Sequence, residues 1–208
     1  MYLANEIDYA LEKSREKLLG ANTYKSICYT LNRAFGKKDL KFRFETFNNF
    51  HKNDFSVSGL YDQHENTRYI IYNFSSNHDT LDLEDWKTFK FDTSQAIQHE
   101  SIHQLQWQHR DPGEDSQKLE FRLMQTINDE EDPEYLADVD EIDAYAHDIA
   151  MEIKFYYPNR DPYEVFKNIN KCRKLDSFSY YKKTFRNCDW LDIRKRLLTK
   201  TFRWIKYV

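Results

Sequence analysis

Hydrophobic and polar residues alternate with two different periods along this chain, and the periods separate predicted strands from predicted helices. A period of two, enriched in β-branched and aromatic residues, indicates strands. A period near 3.6 indicates amphipathic helices. The predicted strands cover residues 40–47, 55–61 and 68–74. The predicted helices cover residues 4–19, 22–35, 83–89, 92–108, 138–156, 161–171, 177–186 and 189–206, with 117–126 as a further candidate.

The order of these elements predicts an α+β fold, in which two N-terminal helices precede a small antiparallel or mixed sheet and a helical C-terminal half. A length of 208 residues suits one domain, 1–208. Residues 62–67 are expected to turn the second strand back against the third. We expect 68–74 to be an edge strand that could bind an extended peptide by strand addition. Asp92 or Thr93 is the expected cap of the helix 92–108.

Composition and cysteine usage point to a cytoplasmic protein. No apolar run approaches the roughly 18–20 residues that cross a bilayer, and acidic residues near the N-terminus argue against a signal peptide. Cys28, Cys172 and Cys188 are odd in number and widely separated, which is typical of reduced thiols. A bridge between Cys172 and Cys188 stays open as an alternative.

Charge is distributed unevenly. Residues 111–152 hold 15 acidic and two basic residues, whereas 167–208 hold 13 basic and three acidic ones. Such runs are usually solvated faces, and we favour that interpretation. The alternative is that the basic C-terminal helices contact nucleic acid or an assembly partner.

The segment from His99 to His103 reads His-Glu-Ser-Ile-His. Residues four apart lie on one face of a helix, so both imidazoles can reach one Zn²⁺ ion. Glu100 lies beside that face and could take a proton from a zinc-activated water and pass it to a leaving amine. Apolar residues flank the histidine face, whereas Ser101 and Gln104 are expected to point away from the core.

Zinc hydrolases usually have three protein ligands, and two residues compete for the third position. Glu141 lies in a predicted helix on the same face as the small Ala144, which would allow a close approach to the histidine helix. His109 follows His103 by six residues, a spacing that resembles that of the metzincin metallopeptidases. Gln106, however, stands where those families have the glycine that permits a sharp backbone turn. We favour Glu141.

The motif and the later Glu141-Ile-Asp-Ala segment resemble the gluzincin branch of the zincin metallopeptidases. They are also similar to small uncharacterised zincin-like proteins encoded by bacteriophages. The resemblance covers residues 96–109 and 135–152. It implies that His99, His103 and Glu141 hold zinc and that Glu100 is the general base. A phage-encoded protein would act in the host cytoplasm.

Other residues have weaker claims on the chemistry. Tyr145 could stabilise a developing oxyanion, although packing is the commoner role of a tyrosine in so aromatic a chain. His147, Asp138 or Asp143 could hold a ligand through a hydrogen bond. The acidic loop 111–134 could favour basic substrates.

These features predict a zinc metallopeptidase that hydrolyses peptide bonds of a peptide or protein substrate and has no membrane partner. The alternative is a zincin-fold structural or partner-binding protein, for example a phage particle component, that binds zinc without peptidase activity. Ligand spacing leaves the substrate open.

Overall fold

The computed structural model describes residues 4–20, 23–36, 38–47, 55–75, 81–110, 133–185 and 190–208. Cys188, the helical candidate 117–126 and most of the acidic loop 111–134 lie outside the described residues. The chain divides into two compact units, Met1–Trp107 and Gln108–Val208. The single domain stays a prediction, because two compact units can belong to one domain.

Two helices open the first unit. They are α1 (Ala4–Leu19) and α2 (Tyr24–Phe35). The side chain of Thr23 accepts a hydrogen bond from the Ser26 amide and caps the start of α2. Gly36 ends α2 in the left-handed conformation, with φ 59°, which glycine adopts without strain. Both predicted helices are confirmed.

A three-stranded sheet follows, made of β1 (Leu40–Phe47), β2 (Phe55–Asp62) and β3 (Thr67–Ser75). The strand order is β1-β3-β2, with β1 parallel and β2 antiparallel to β3. The expectation that 68–74 forms an edge strand is therefore wrong. Neighbouring Tyr69 and Ile70 point to opposite faces of β3 and are both buried, which suits the central strand.

The first unit continues with one long helix, α3 (Trp86–Gln108). The predicted helices 83–89 and 92–108 form this single element, so neither Asp92 nor Thr93 caps a helix start. Thr93 is fully buried, and its hydroxyl group is 2.9 Å from that of Tyr72 on β3. Threonine is common at helix starts, but Thr93 lies within α3 and its hydroxyl group bonds to another element instead.

The second unit is helical over its described residues. Its main element is α5 (Val139–Tyr156), and Asp138 caps it by accepting a hydrogen bond from the Asp140 amide. The predicted helix 161–171 is divided into an α-helix and a 3-10 turn. The remaining elements are α4 (Pro133–Leu136), α6 (Pro162–Lys167), the 3-10 turn Ile169–Lys171, α7 (Asp176–Thr184) and α8 (Trp190–Trp204).

Each unit has its own apolar core. In the first, buried residues of α1, α2 and the sheet pack with Ile97 of α3. In the second, Ile149 and Ile153 of α5 pack with Tyr181 of α7 and Leu197 of α8. In the part of the chain that the structure describes, no helix combines the length and the apolar character needed to span a membrane.

Candidate metal centre

Three side-chain hydrogen bonds fix the position of α3 along β3 and the turn that precedes it. The pairs are Tyr72 with Thr93 (2.9 Å), Arg68 with Ser101 (2.6 Å) and Asn66 with Gln104 (3.0 Å). The helix number rises as the strand number falls, so α3 runs antiparallel to β3. The Arg68 guanidinium is nearly fully buried and also binds the Asp39 carboxylate at 2.6 Å.

This register decides where the two histidines point. Ser101 is buried against the sheet, and two residues along a helix correspond to about 200° of rotation. His99 and His103, two residues before and after Ser101, therefore lie on the side of α3 that faces away from the sheet. The expectation that Ser101 and Gln104 point away from the core is wrong, because both are buried.

The histidine rings converge on each other. The Nε2 atoms of His99 and His103 are 3.2 Å apart, and the ring centroids are 4.9 Å apart. Two nitrogens at about 2.0–2.1 Å from one tetrahedral ion are separated by about 3.3 Å. The two Nε2 atoms thus already have the separation that a shared metal ion requires.

Gln106 orients one of these rings. Its Oε1 atom is 2.8 Å from Nδ1 of His103 and accepts a hydrogen bond from that nitrogen. With the proton on Nδ1, the lone pair of Nε2 is available for a metal, which is the usual arrangement around ligand histidines. The sequence pattern identified Gln106 only as a residue in place of glycine. Its i+3 spacing from His103 was the signal for this contact.

Glu141 completes a group of possible ligands. It lies in the first turn of α5 and is buried, with 3% of its surface exposed. One ligand atom from each of His99, His103 and Glu141 lies within 4.8 Å of the other two, so this cluster could bind a metal ion. His109 is exposed, lies just beyond the end of α3 and is not a member of the cluster.

Glu100 is also buried, with 5% of its surface exposed. Its side chain lies against the backbone of β2 at Gly59. It is one residue from Ser101 and hence about 100° from the line of contact with β3. The carboxyl group is therefore turned towards β2, whereas the histidines point away from the sheet.

The Tyr145 side chain is part of an aromatic group in the second unit. Its ring centroid is 5.0 Å from that of Tyr181 and 6.0 Å from that of Tyr180. These contacts give Tyr145 a packing role within its own unit, and its part in catalysis stays a prediction.

The three residues considered as partners of a ligand have identified contacts within the second unit. Asp138 is the cap of α5. Asp143 accepts a hydrogen bond from Nε1 of Trp204 (3.1 Å) and forms an ion pair with Lys200 (3.2 Å). His147 is buried, and its ring meets the Trp204 ring edge-on with centroids 5.0 Å apart.

Sequence reasoning missed one carboxyl group with unusual electrostatics. Glu152 of α5 is buried and accepts hydrogen bonds from the amide (3.0 Å) and the hydroxyl group (2.7 Å) of Ser177. Burial raises the pKa of Glu152 to about 8, although the bonds from Ser177 lower it and the charge of Asp148 raises it further. Its position eleven residues after Glu141, three helical turns along the same face, was the available signal.

Comparison of the chain with protein-family models, with curated proteins and with solved structures returned no match. The motif, the cluster and the fold of this chain are therefore the observations that bear on its function.

Proposed function

We propose that this protein is a zinc-dependent metallopeptidase with a zincin-like fold. In this proposal His99, His103 and Glu141 hold the zinc ion, and Glu100 is the general base. The observation that carries it is the cluster of three candidate ligand residues, in which the Nε2 atoms of the two histidines are 3.2 Å apart. Two imidazoles and one carboxylate are a common ligand set of catalytic zinc.

The chemistry divides between the metal and the side chains. A zinc ion held by His99, His103 and Glu141 would supply an activated water and would polarise the carbonyl group of the scissile bond. Glu100 takes the proton of the attacking water and transfers it to the leaving amine. Gln106 holds the His103 ring in the tautomer that binds metal. Tyr145 is the proposed donor to the oxyanion.

The sheet suggests where an extended substrate binds. The outer edge of β1 is covered at Phe42, whose amide and carbonyl groups both bond to the Asn32 side chain of α2. Among the described residues, no strand pairs with the outer edge of β2. We therefore propose that an extended peptide adds to the outer edge of β2, which lies beside Glu100. Residues 68–74 belong to the central strand and have no free edge for this purpose.

The first experiment measures metal content. The purified protein is expected to contain about one zinc per chain, and His103→Ala is expected to remove nearly all of it. His109→Ala is the matched control, because that histidine lies outside the cluster. Equal zinc loss in both variants would contradict the ligand assignment.

The second experiment measures hydrolysis of unfolded protein and peptide substrates. Glu100→Gln keeps the size of the side chain but removes its basicity, so zinc content should persist while turnover is lost. A Glu100→Gln variant with full activity would refute the mechanism. Stoichiometric zinc without hydrolysis by the wild-type protein would favour the alternative, a zinc-containing structural or partner-binding protein.

A further inference from the structure

We propose that Gly59 is a positioning residue for Glu100. The absence of a side chain at Gly59 gives the Glu100 carboxyl group its place between α3 and β2. The catalytic consequence rests on the proposed function, whereas the packing relation does not.

The space beside Gly59 is already filled by Glu100. A Cβ atom built on Gly59 would lie 2.6 Å from Cγ and 2.8 Å from Cδ of Glu100. Cβ atoms in proteins essentially never approach other atoms within 3.0 Å. Any side chain at this position therefore has to displace the carboxyl group of Glu100 or move the strand.

The register of the sheet explains why this position differs from its neighbours. Gly59 pairs with Ile70 on β3, while Val57 pairs with Tyr72 and Tyr61 with Arg68. Directly paired residues point to the same face, so these three β2 positions share the face that α3 covers. Of the three, Gly59 alone has no side chain, and it is the position that Glu100 approaches.

The two functions of the motif depend on different contacts. The histidines lie on the side of α3 that faces away from the sheet, whereas Glu100 turns towards β2. A methyl group at Gly59 therefore pushes on Glu100 without touching the histidines. Metal binding and proton transfer are expected to separate in a Gly59→Ala variant.

The catalytic test compares Gly59→Ala with Ser58→Ala. Ser58 is exposed on the opposite face of the same strand and serves as the matched control. Gly59→Ala should keep its zinc and its KM but lose kcat on the order of 100-fold, because displacement of a catalytic group by about 1 Å has effects of that size. An unchanged kcat would overturn the proposal.

A second test needs no activity. Urea unfolding midpoints are compared for the wild type, Gly59→Ala, Glu100→Ala and the double variant. Gly59→Ala should lower the midpoint when Glu100 is present and leave it unchanged or raise it when residue 100 is alanine. An equal fall in both backgrounds would overturn the proposal.

The two tests separate the two proposals. If the wild-type protein hydrolyses nothing, the proposed function fails, and the unfolding cycle still decides the role of Gly59. Suppose that Glu100→Gln abolishes turnover while Gly59→Ala changes the unfolding midpoint equally with glutamate and with alanine at residue 100. In that case the proposed function stands and the role of Gly59 is refuted. If Gly59→Ala prevents folding in the presence of Glu100 but the double variant with Glu100→Ala folds, the proposal is supported. If neither Gly59→Ala nor the double variant folds, the proposal is contradicted.

Discussion

Replacement of Glu152 by glutamine should change how the stability of this protein depends on pH. Glu152 has 3% of its surface exposed, and burial raises its pKa from 4.5 to about 8. Below pH 4.5 the folded and unfolded states are both protonated, so this group has no effect on stability there. Between pH 4.5 and pH 8 the unfolded state loses the proton and the folded state keeps it. The free energy of unfolding then falls as the pH rises.

The size of the effect follows from the pKa difference. One pH unit in this window corresponds to about 1.4 kcal/mol, so the loss reaches about 3 kcal/mol at pH 7 and about 4 kcal/mol at pH 8, where the folded carboxyl group is half ionised. Glutamine does not ionise and its Oε1 can still accept hydrogen bonds from Ser177. The stability of Glu152→Gln relative to the wild type should therefore increase by about 2.5 kcal/mol between pH 5 and pH 7.

The assay is urea unfolding at pH 5, 6, 7 and 8, with a chelator present so that pH-dependent metal binding does not contribute. Glu164→Gln is the control, because Glu164 is exposed in the same unit and its carboxylate pairs with the exposed Lys167. Its difference from the wild type should stay nearly constant over this range. Parallel pH curves for Glu152→Gln and the wild type would refute the argument, since they would mean that the buried carboxyl group titrates as it does in the unfolded chain.

Three further predictions concern other parts of the molecule. Asn32→Ala should lower the free energy of unfolding by about 2–3 kcal/mol, because the amide and carbonyl groups of Phe42 lose their partner; a loss below about 0.5 kcal/mol in urea unfolding would contradict this. Asp138→Ala removes the cap of α5 and should cost about 1 kcal/mol in the same assay, and an unchanged midpoint would show that the cap adds nothing. Iodoacetamide should modify the half-buried Cys172 in the native protein and Cys28 only after unfolding, because burial raises the pKa of the Cys28 thiol to about 12. Mass mapping that finds native Cys28 modified as fast as Cys172 would refute this.

Local sequence determined the secondary elements and the composition of the candidate site. The helix periods gave α1, α2 and α5 within two residues of their observed bounds, because capping and amphipathic spacing act over one or two turns. The four-residue spacing of His99 and His103 placed both rings on one face of a helix for the same reason. Glu141 was selected from its helix position, and it is in the observed cluster.

Only the tertiary structure decided how these elements combine. The central position of β3 depends on its parallel pairing with β1. The paired residues Leu40 and Arg68 are 28 positions apart in the sequence, and no local pattern encodes such a pairing. The continuity of α3 through Thr93 depends on the Tyr72 hydroxyl of another element. The place of Glu100 beside Gly59 likewise depends on where α3 lies against the sheet. A helix period specifies which side chains share a face, but the contacts between distant segments specify which face meets the sheet and which carries the candidate ligands.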